Sequence, residues 1–367
     1  MKIRLSFNLS MIIILCSLSN ISYAQSDTTF IMQADVYSEP LSIHSFTSNW
    51  RGTPLKAGDK AFAQGKMELR QEQNAFQYGI VWQYDYLLHF TPDTAKLYYQ
   101  IQNDLPLTPN SKYDLLIKAN HIESEGFRFG YTFELNPNWQ LNAGINILKG
   151  RKLLQGDFSG FGQTNSSQNS KDLLNTVNNL QANIDYNYSN PALKEKTLGW
   201  DPDAPTGYGA SIDMMLTGLI TPELKFIFAM NNLYGQMWWE KVPNTRYDLN
   251  YELNRLPHFD VTGQLSEKSN FTQKLPYRID SSLTYQPNQS PWSASASVYA
   301  NELMELWELS GYRDVSGYKL GLHTEPQTHT FGVSIAKKNF GIQYMTDDLN
   351  TNHAKRMSLG LYGLYQW

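Results

Sequence analysis

The stretch AFQYGIVWQYDYLLHF, residues 75–90, limits the possible folds more than any other part of the chain. Every second residue belongs to one apolar, aromatic register: Phe76, Tyr78, Ile80, Trp82, Tyr84, Tyr86, Leu88 and Phe90. The alternate register, Gln77, Gly79, Val81, Gln83, Asp85, Leu87 and His89, is more polar. A period of two defines a strand with two unlike faces. Strands in soluble domains run to about 5–6 residues. This one is long enough to cross a membrane obliquely, with one face toward lipid.

The same rhythm recurs along the chain. Ala61, Ala63, Gly65, Met67 and Leu69 alternate with Phe62, Gln64, Lys66, Glu68 and Arg70. Phe127, Phe129, Tyr131, Phe133 and Leu135 alternate with Arg128, Gly130, Thr132 and Glu134. After the turn NPN, Trp139, Leu141, Ala143, Ile145 and Ile147 alternate with Gln140, Asn142, Gly144 and Asn146. Leu224, Phe226, Phe228 and Met230 follow the turn TPE, and QPNQSP leads into Trp292, Ala294, Ala296 and Val298. Segments of about ten residues separated by turn residues describe an antiparallel meander. Mean hydropathy is negative, −0.46, although aromatics make up 13% of the chain. Low average hydropathy with strong alternation suits a membrane barrel, because half of each strand faces water. A soluble sandwich also alternates, but it does not account for strands of this length with aromatics at their ends.

Lys2 and Arg4, an apolar run centred on Met11 to Cys16, and Ser22-Tyr23-Ala24 form a secretory signal, with cleavage expected between Ala24 and Gln25. The one cysteine, Cys16, lies inside that signal behind Leu15, so lipidation is not expected and the mature chain has no thiol chemistry. The expected organisation is a signal peptide at 1–24 and an N-terminal segment at 25–58, either a first strand or a tail in the lumen. The barrel follows at 59–367. It is interrupted by a long, partly helical loop near 163–206, where Leu173, Leu174, Val177 and Leu180 have helical spacing before a strand from Ala182 to Tyr188. The fold class is all-β: a transmembrane antiparallel up-and-down barrel of 14–16 strands, even-numbered as single-chain bacterial barrels are.

The terminal MSLGLYGLYQW places Met357, Leu359, Leu361, Gly363, Tyr365 and Trp367 on one face. It resembles the C-terminal signature of Gram-negative outer-membrane β-barrels. That resemblance implies location in the outer membrane, contact with its lipid and lipopolysaccharide, and delivery by the barrel-assembly machinery. The segment from Gly207 to Asp213, the TPE turn, Asn231 to Gly235 and Trp238 is similar to strand pairs of the FadL-like superfamily. That group includes transporters of hydrophobic compounds and TraF-like conjugation-associated barrels. The superfamily's N-terminal Asn-Pro-Ala motif is absent after residue 25, and the NPA at 190–192 is out of place, so no ligand residues are carried over. DTTFIMQA, residues 27–34, is similar to the energy-coupling box of TonB-dependent transporters, but no stretch long enough for their globular plug follows it.

No HExxH, clustered histidines or nucleophile elbow is present, so neither a catalytic residue, a metal nor a cofactor is expected. His329 shares the apolar register of Phe331, Val333 and Ile335 and is read as structural. The net charge of −4 gives no footprint for nucleic acid. What remains is a lumen wall. Its expected lining is Gln77, Gln83, Asp85, His89, Arg128, Glu134, Gln140, Asn142, Asn146, Asp213, Lys225, Arg278 and Asp280. Expected at the lipid face or interfaces are Tyr78, Trp82, Tyr84, Phe129, Tyr131, Trp139, Trp292, Tyr365 and Trp367.

Two functions compete. The first is a pore or transporter for a small solute or hydrophobic compound. The second is a structural part of a secretion, conjugation or attachment system with envelope partner proteins. An open lumen would favour the first. A lumen filled by ion pairs, together with an apolar exposed loop such as NLYGQMWWEKVP (232–243), would favour the second.

Overall fold

The computed structural model describes residues 26–166, 176–193, 195–253 and 257–366. The signal segment, Leu173, Leu174 and Trp367 lie outside the described residues. Seventeen strands lie within them, all in one antiparallel sheet. They are β1 (Ser26–Ser38), β2 (Lys60–Gln73), β3 (Phe76–Phe90), β4 (Lys112–Asn136), β5 (Trp139–Thr164), β6 (Val177–Tyr188), β7 (Thr206–Thr221), β8 (Leu224–Asn231) and β9 (Gln236–Leu253). Next come β10 (Pro257–Lys274), β11 (Arg278–Tyr285), β12 (Trp292–Ala300), β13 (Glu305–Val315), β14 (Tyr318–Glu325), β15 (Thr330–Lys337), β16 (Phe340–Thr346) and β17 (Arg356–Gln366). Helices α1 (Ile43–Thr47) and α2 (Pro92–Gln102) sit between the early strands.

The seventeen strands occupy fourteen wall positions. β5 pairs with β7 over its first half and with β6 over its second, so β6 and β7 succeed one another along one position. β8 and β9 share the next position, and β10 and β11 the one after, since β9 pairs with β10 and β8 with β11. β1 pairs with β17 on one side and with β2 on the other, which closes the ring. Closure satisfies the backbone, because lipid offers no partner to a free strand edge. Residues 26–38 are thus a wall strand, not a tail in the lumen.

The two chain ends meet at one mouth, with Asp27 opposite Gln366. The connections at this terminal mouth are tight: 74–75, 137–138, 222–223, 286–291, 316–317 and 338–339. The far mouth has the longest connections, 39–59 and 91–111, which hold α1 and α2, alongside short ones such as 301–304 and 326–329. β4 and β5, with 25 and 26 residues, make one side of the wall tall, whereas β14–β16 have 7 or 8. Above the end of β3, the exposed edge of β4 is covered by the start of α2. Thr94 Oγ1 accepts from the Leu116 amide at 2.9 Å and Asp93 Oδ2 from the Asp114 amide at 3.2 Å. A covered edge cannot recruit a foreign strand.

The exterior carries the apolar band that a bilayer requires. Phe127, Phe129, Phe133, Ile145, Ile147, Leu322, Phe331 and Val333 all point outward and are exposed. On β4 the band ends at an ionic belt, where Glu123 pairs with Lys152 and Glu125 with Arg151. From Glu125 to Leu135, about ten residues of a strand tilted about 40° span roughly 25 Å of height, the thickness of such a band. Near the terminal mouth, the Arg313 guanidinium lies 4.9 Å from the Trp292 ring centroid and Lys337 lies 5.0 Å from that of Tyr318. Rings of this kind, apolar on one side and wet on the other, mark the interface.

One expectation needs correction. Val177 and Leu180 belong to strand β6, not to a helix, and pair with β5 there. Among the described residues of 163–206, Thr176 is helical, β6 covers Val177–Tyr188 and a 3-10 turn covers Glu195–Leu198. Earlier in the chain, α2 has Thr91 as N-cap, accepting from the Thr94 amide, and Pro92 in its first turn.

Candidate functional site

The interior follows from the pleat. On β3 the odd residues face inward, and Gln77, Val81, Gln83, Asp85 and Leu87 are buried. Pairing carries that face to Arg128 on β4, Asn142 and Asn146 on β5, and Asp213 on β7. Inside a ring of fourteen positions these side chains meet and fill the middle of the barrel.

The first cluster joins β2, β4, β5 and β7. Arg128 donates to Asp213 Oδ2 at 2.7 Å and to Asn142 Oδ1 at 3.1 Å, and forms an ion pair with Glu68 at 3.3 Å. Lys66 reaches the same Asp213 oxygen at 2.8 Å and Asn231 at 2.6 Å. Asn146 donates to Asp213 and to Ser211, both at 2.9 Å. Arg70 also pairs with Glu68, at 3.2 Å, so three cations face two carboxylates.

A second cluster spans the full width. Arg278 on β11 donates to Asp85 on β3 at 2.7 Å and to the carbonyls of Gly65 and Tyr84 at 3.0 and 3.2 Å. Gln64 on β2 donates to Asp85 at 2.7 Å. Tyr299 and Asn301, from β12 and the turn after it, donate to Gln64 at 2.5 and 2.8 Å. β2 and β12 have the same number of wall positions between them in either direction, so this bridge runs along a diameter. A third pair set links Arg356 on β17 to Asp35 at 2.9 Å and Glu325 at 3.1 Å. Together these side chains form a septum.

On the tall side an apolar layer overlies it, made of Val81, Ile122, Leu148, Leu153, Met237, Trp239, Val242 and Leu275. Trp239 is 1% exposed and donates its indole N–H to Gln273 at 3.1 Å. It fits because Gly150 and Gly207 flank it; a Cβ at either would stand 2.3 Å from the ring. Beyond this layer a cavity of about 880 Å³ opens toward the far mouth. Its wall holds Lys60, His89, Lys118, Lys274, Asp157, Asp185 and Glu302, with Phe271 and Leu303 as apolar surface.

The structure places the residues singled out from the sequence in three settings. Gln77, Gln83, Asp85, Arg128, Asn142, Asn146, Asp213 and Arg278 are buried in or beside the septum, and Asp280 follows Arg278 on the same face of β11. His89 lines the vestibule. Glu134, Gln140 and Lys225 share the inward register but are exposed at the terminal mouth. Tyr78, Trp82, Tyr84, Phe129, Tyr131, Trp139, Trp292 and Tyr365 lie on the outward register. Sequence reasoning missed Gln64, Lys66, Glu68, Tyr299 and the Arg356 set. Lys66 and Glu68 were visible as the polar register of β2; nothing local marks Tyr299 as the opposite end of a bridge.

No protein-family model matches the chain, and no curated protein matches it in sequence. Among solved structures it is similar to the monoaromatic hydrocarbon channel CymD, with 8% identity, a TM-score of 0.35, and 98% of this chain and 93% of that one covered. It is similar to the Pseudomonas putida toluene transporter TodX at 9% identity and a TM-score of 0.39, covering 94% and 90%. A Pseudomonas aeruginosa FadL homologue aligns at 11% identity and a TM-score of 0.29, covering 94% and 90%. At these values the likeness says nothing about what this chain binds.

Proposed function

We propose that this outer-membrane-type barrel is a channel or transporter for a small solute or hydrophobic compound, closed at rest by the septum. Barrels of this class keep short turns on the periplasmic side and longer loops outside. By that rule the terminal mouth is periplasmic and the vestibule faces the exterior. Outer-membrane lipid and lipopolysaccharide then surround the apolar band, and the barrel-assembly machinery is the expected insertion partner.

One observation carries the reading: a vestibule is stacked on a barrier built of side chains alone. No wall strand has to break for the barrier to move. Gln83 Nε2, Asp85 Oδ2, Asn146 Oδ1 and Asn232 Oδ1 make no hydrogen bond to another described residue. Buried ion pairs give little net stability, because desolvation offsets most of their attraction. Admitting water or solute to such a septum therefore costs less than opening an apolar core of the same size.

The structural-component reading finds less support in the fold. Residues 236–243 are the start of strand β9 rather than an exposed loop, and Trp239 and Val242 point into the barrel.

The test is solute flux into vesicles containing the purified barrel, with a size series of sugars and with small aromatic compounds. Trp239→Ala removes the bulk of the apolar layer and should raise uptake of at least one class by tenfold or more. No flux of any class, in the parent or in this variant, would reject the channel reading.

A further inference from the structure

Three adjacent strands on the low side of the wall bring a glutamate, a histidine and a serine into one hydrogen-bonded row. Glu308 on β13, His323 on β14 and Ser334 on β15 share the inward register. His323 Nδ1 lies 2.7 Å from Glu308 Oε1 and 3.0 Å from Ser310 Oγ, and its Nε2 lies 2.7 Å from Ser334 Oγ.

The protons can be assigned from the partners. Ser310 donates its one hydroxyl proton to Glu308 at 2.6 Å, so both groups facing Nδ1 are acceptors. Nδ1 therefore carries the ring proton, Nε2 presents its lone pair, and Ser334 donates to it. The Tyr312 ring meets the imidazole edge-on at 5.5 Å between centroids and fixes its plane. Gly321 clears the meeting point: a Cβ there would stand 2.3 Å from Ser334 Oγ and 2.9 Å from His323 Nε2. The imidazole is 1% exposed, whereas Ser334 keeps access to the lumen. β15 ends at Lys337 at the terminal mouth, so Ser334 lies close to that opening.

A hydroxyl on one imidazole nitrogen and a carboxylate on the other is the arrangement that activates a serine for acyl transfer. We propose that Ser334 is a nucleophile toward a small carboxylic ester entering from the terminal mouth, with His323 as general base and Glu308 positioning it. Ser334 Oγ bonds to the acyl carbon as its proton passes to His323 Nε2. The ester C–O bond breaks and the leaving alcohol takes that proton. Water then attacks the acyl-serine, giving its proton to Nε2. The Ser334 Oγ–acyl bond breaks, the hydroxyl regains the proton, and a carboxylic acid leaves. Ester and water thus become acid and alcohol with no other reactant. The inference does not depend on the channel reading.

The experiment treats the purified, folded barrel with a fluorophosphonate, locates the adduct by mass spectrometry, and follows p-nitrophenyl butyrate hydrolysis in parallel. The expected result is one adduct, on Ser334, with the lumen serine Ser358 unmodified. Ser334→Ala should lose adduct and hydrolysis together, and His323→Gln should slow both by at least about 100-fold. Glu308→Gln should slow them less and keep the adduct on Ser334. Folding of each variant is read from heat-modifiable mobility, and if His323→Gln does not fold, Glu308→Gln carries the comparison. A folded parent that takes no probe on Ser334, or a folded His323→Gln or Glu308→Gln that labels at the parent rate, overturns the proposal.

Discussion

A charge placed on the wall should be tolerated or rejected according to the face it lands on, and β5 offers a matched pair of positions. Ile145 is 54% exposed on the outer face and pairs with Phe129 on β4 and Ile212 on β7. Phe129 lies four residues from the ionic belt at Glu125 and six from Leu135. With about 3.3 Å per residue and a tilt of about 40°, Ile145 sits roughly 10 Å below the belt, near the middle of the band. Ile145→Arg should therefore cost about 2–4 kcal/mol, a shift of roughly 30- to 700-fold in the folding equilibrium. The control is Gln140→Arg, at the exposed terminal mouth on the inward register, where a substitution should change stability by no more than about 0.5 kcal/mol. Asn146 is unsuitable as a lumen control because it is buried in the septum and holds Asp213. The assay is urea-dependent refolding into phospholipid vesicles, followed by gel mobility before and after heating. Equal midpoints for the two arginine variants would refute the assignment of faces.

The Arg278–Asp85 pair should behave as a coupled unit: Arg278→Met leaves a buried carboxylate unpaired and should cost about 3–5 kcal/mol. The double variant with Asp85→Leu should recover much of this in the same refolding assay, and equal losses for single and double variants would show the pair to be uncoupled. Deleting Trp367 should leave export intact but reduce insertion, because an aromatic at the interface and the closing β1–β17 pairing are both needed at that end; outer-membrane fractionation reads this. At the far mouth, burial and then the nearby Lys56 push Lys355 down to about 8. Its folded value lies below its unfolded one, so the unfolded state holds more protons between about pH 8 and 10.5 and stability should rise across that window. Lys355→Met should flatten this rise, as measured by hydrogen exchange of the 347–355 loop.

The faces of the strands were legible because a period of two admits only two registers and one of them was aromatic. The parity did not carry through β5, however. An extra residue opposite the Glu123/Ser124 step shifts the register, so Ile145 and Ile147 face out while Leu153 faces in. Such a bulge leaves no mark in the alternation on either side of it. A count of segments runs above the number of wall positions, because three pairs of the seventeen described strands share positions. Between 302 and 345, strands of 7–11 residues joined by short turns carry no mark of sidedness in sequence, whereas the ring makes it plain. α2 could have been found: Thr91, Pro92 and Asp93 are a helix start written in sequence. The septum could not, because Arg278 and Asp85 are 193 residues apart and meet only when the ring closes.

The central claim, a closed barrel shut by side chains, is tested most directly by single-channel conductance in planar bilayers. The parent should be silent or nearly so. A variant carrying both Asp85→Ala and Arg278→Ala, confirmed as folded, should show discrete openings, because these substitutions remove the ion pair that joins β3 to β11 and take from Gln64, on the bridge across the diameter, its carboxylate partner. Large, steady conductance in the parent would contradict the septum, and silence in the folded double variant would contradict its role as the barrier.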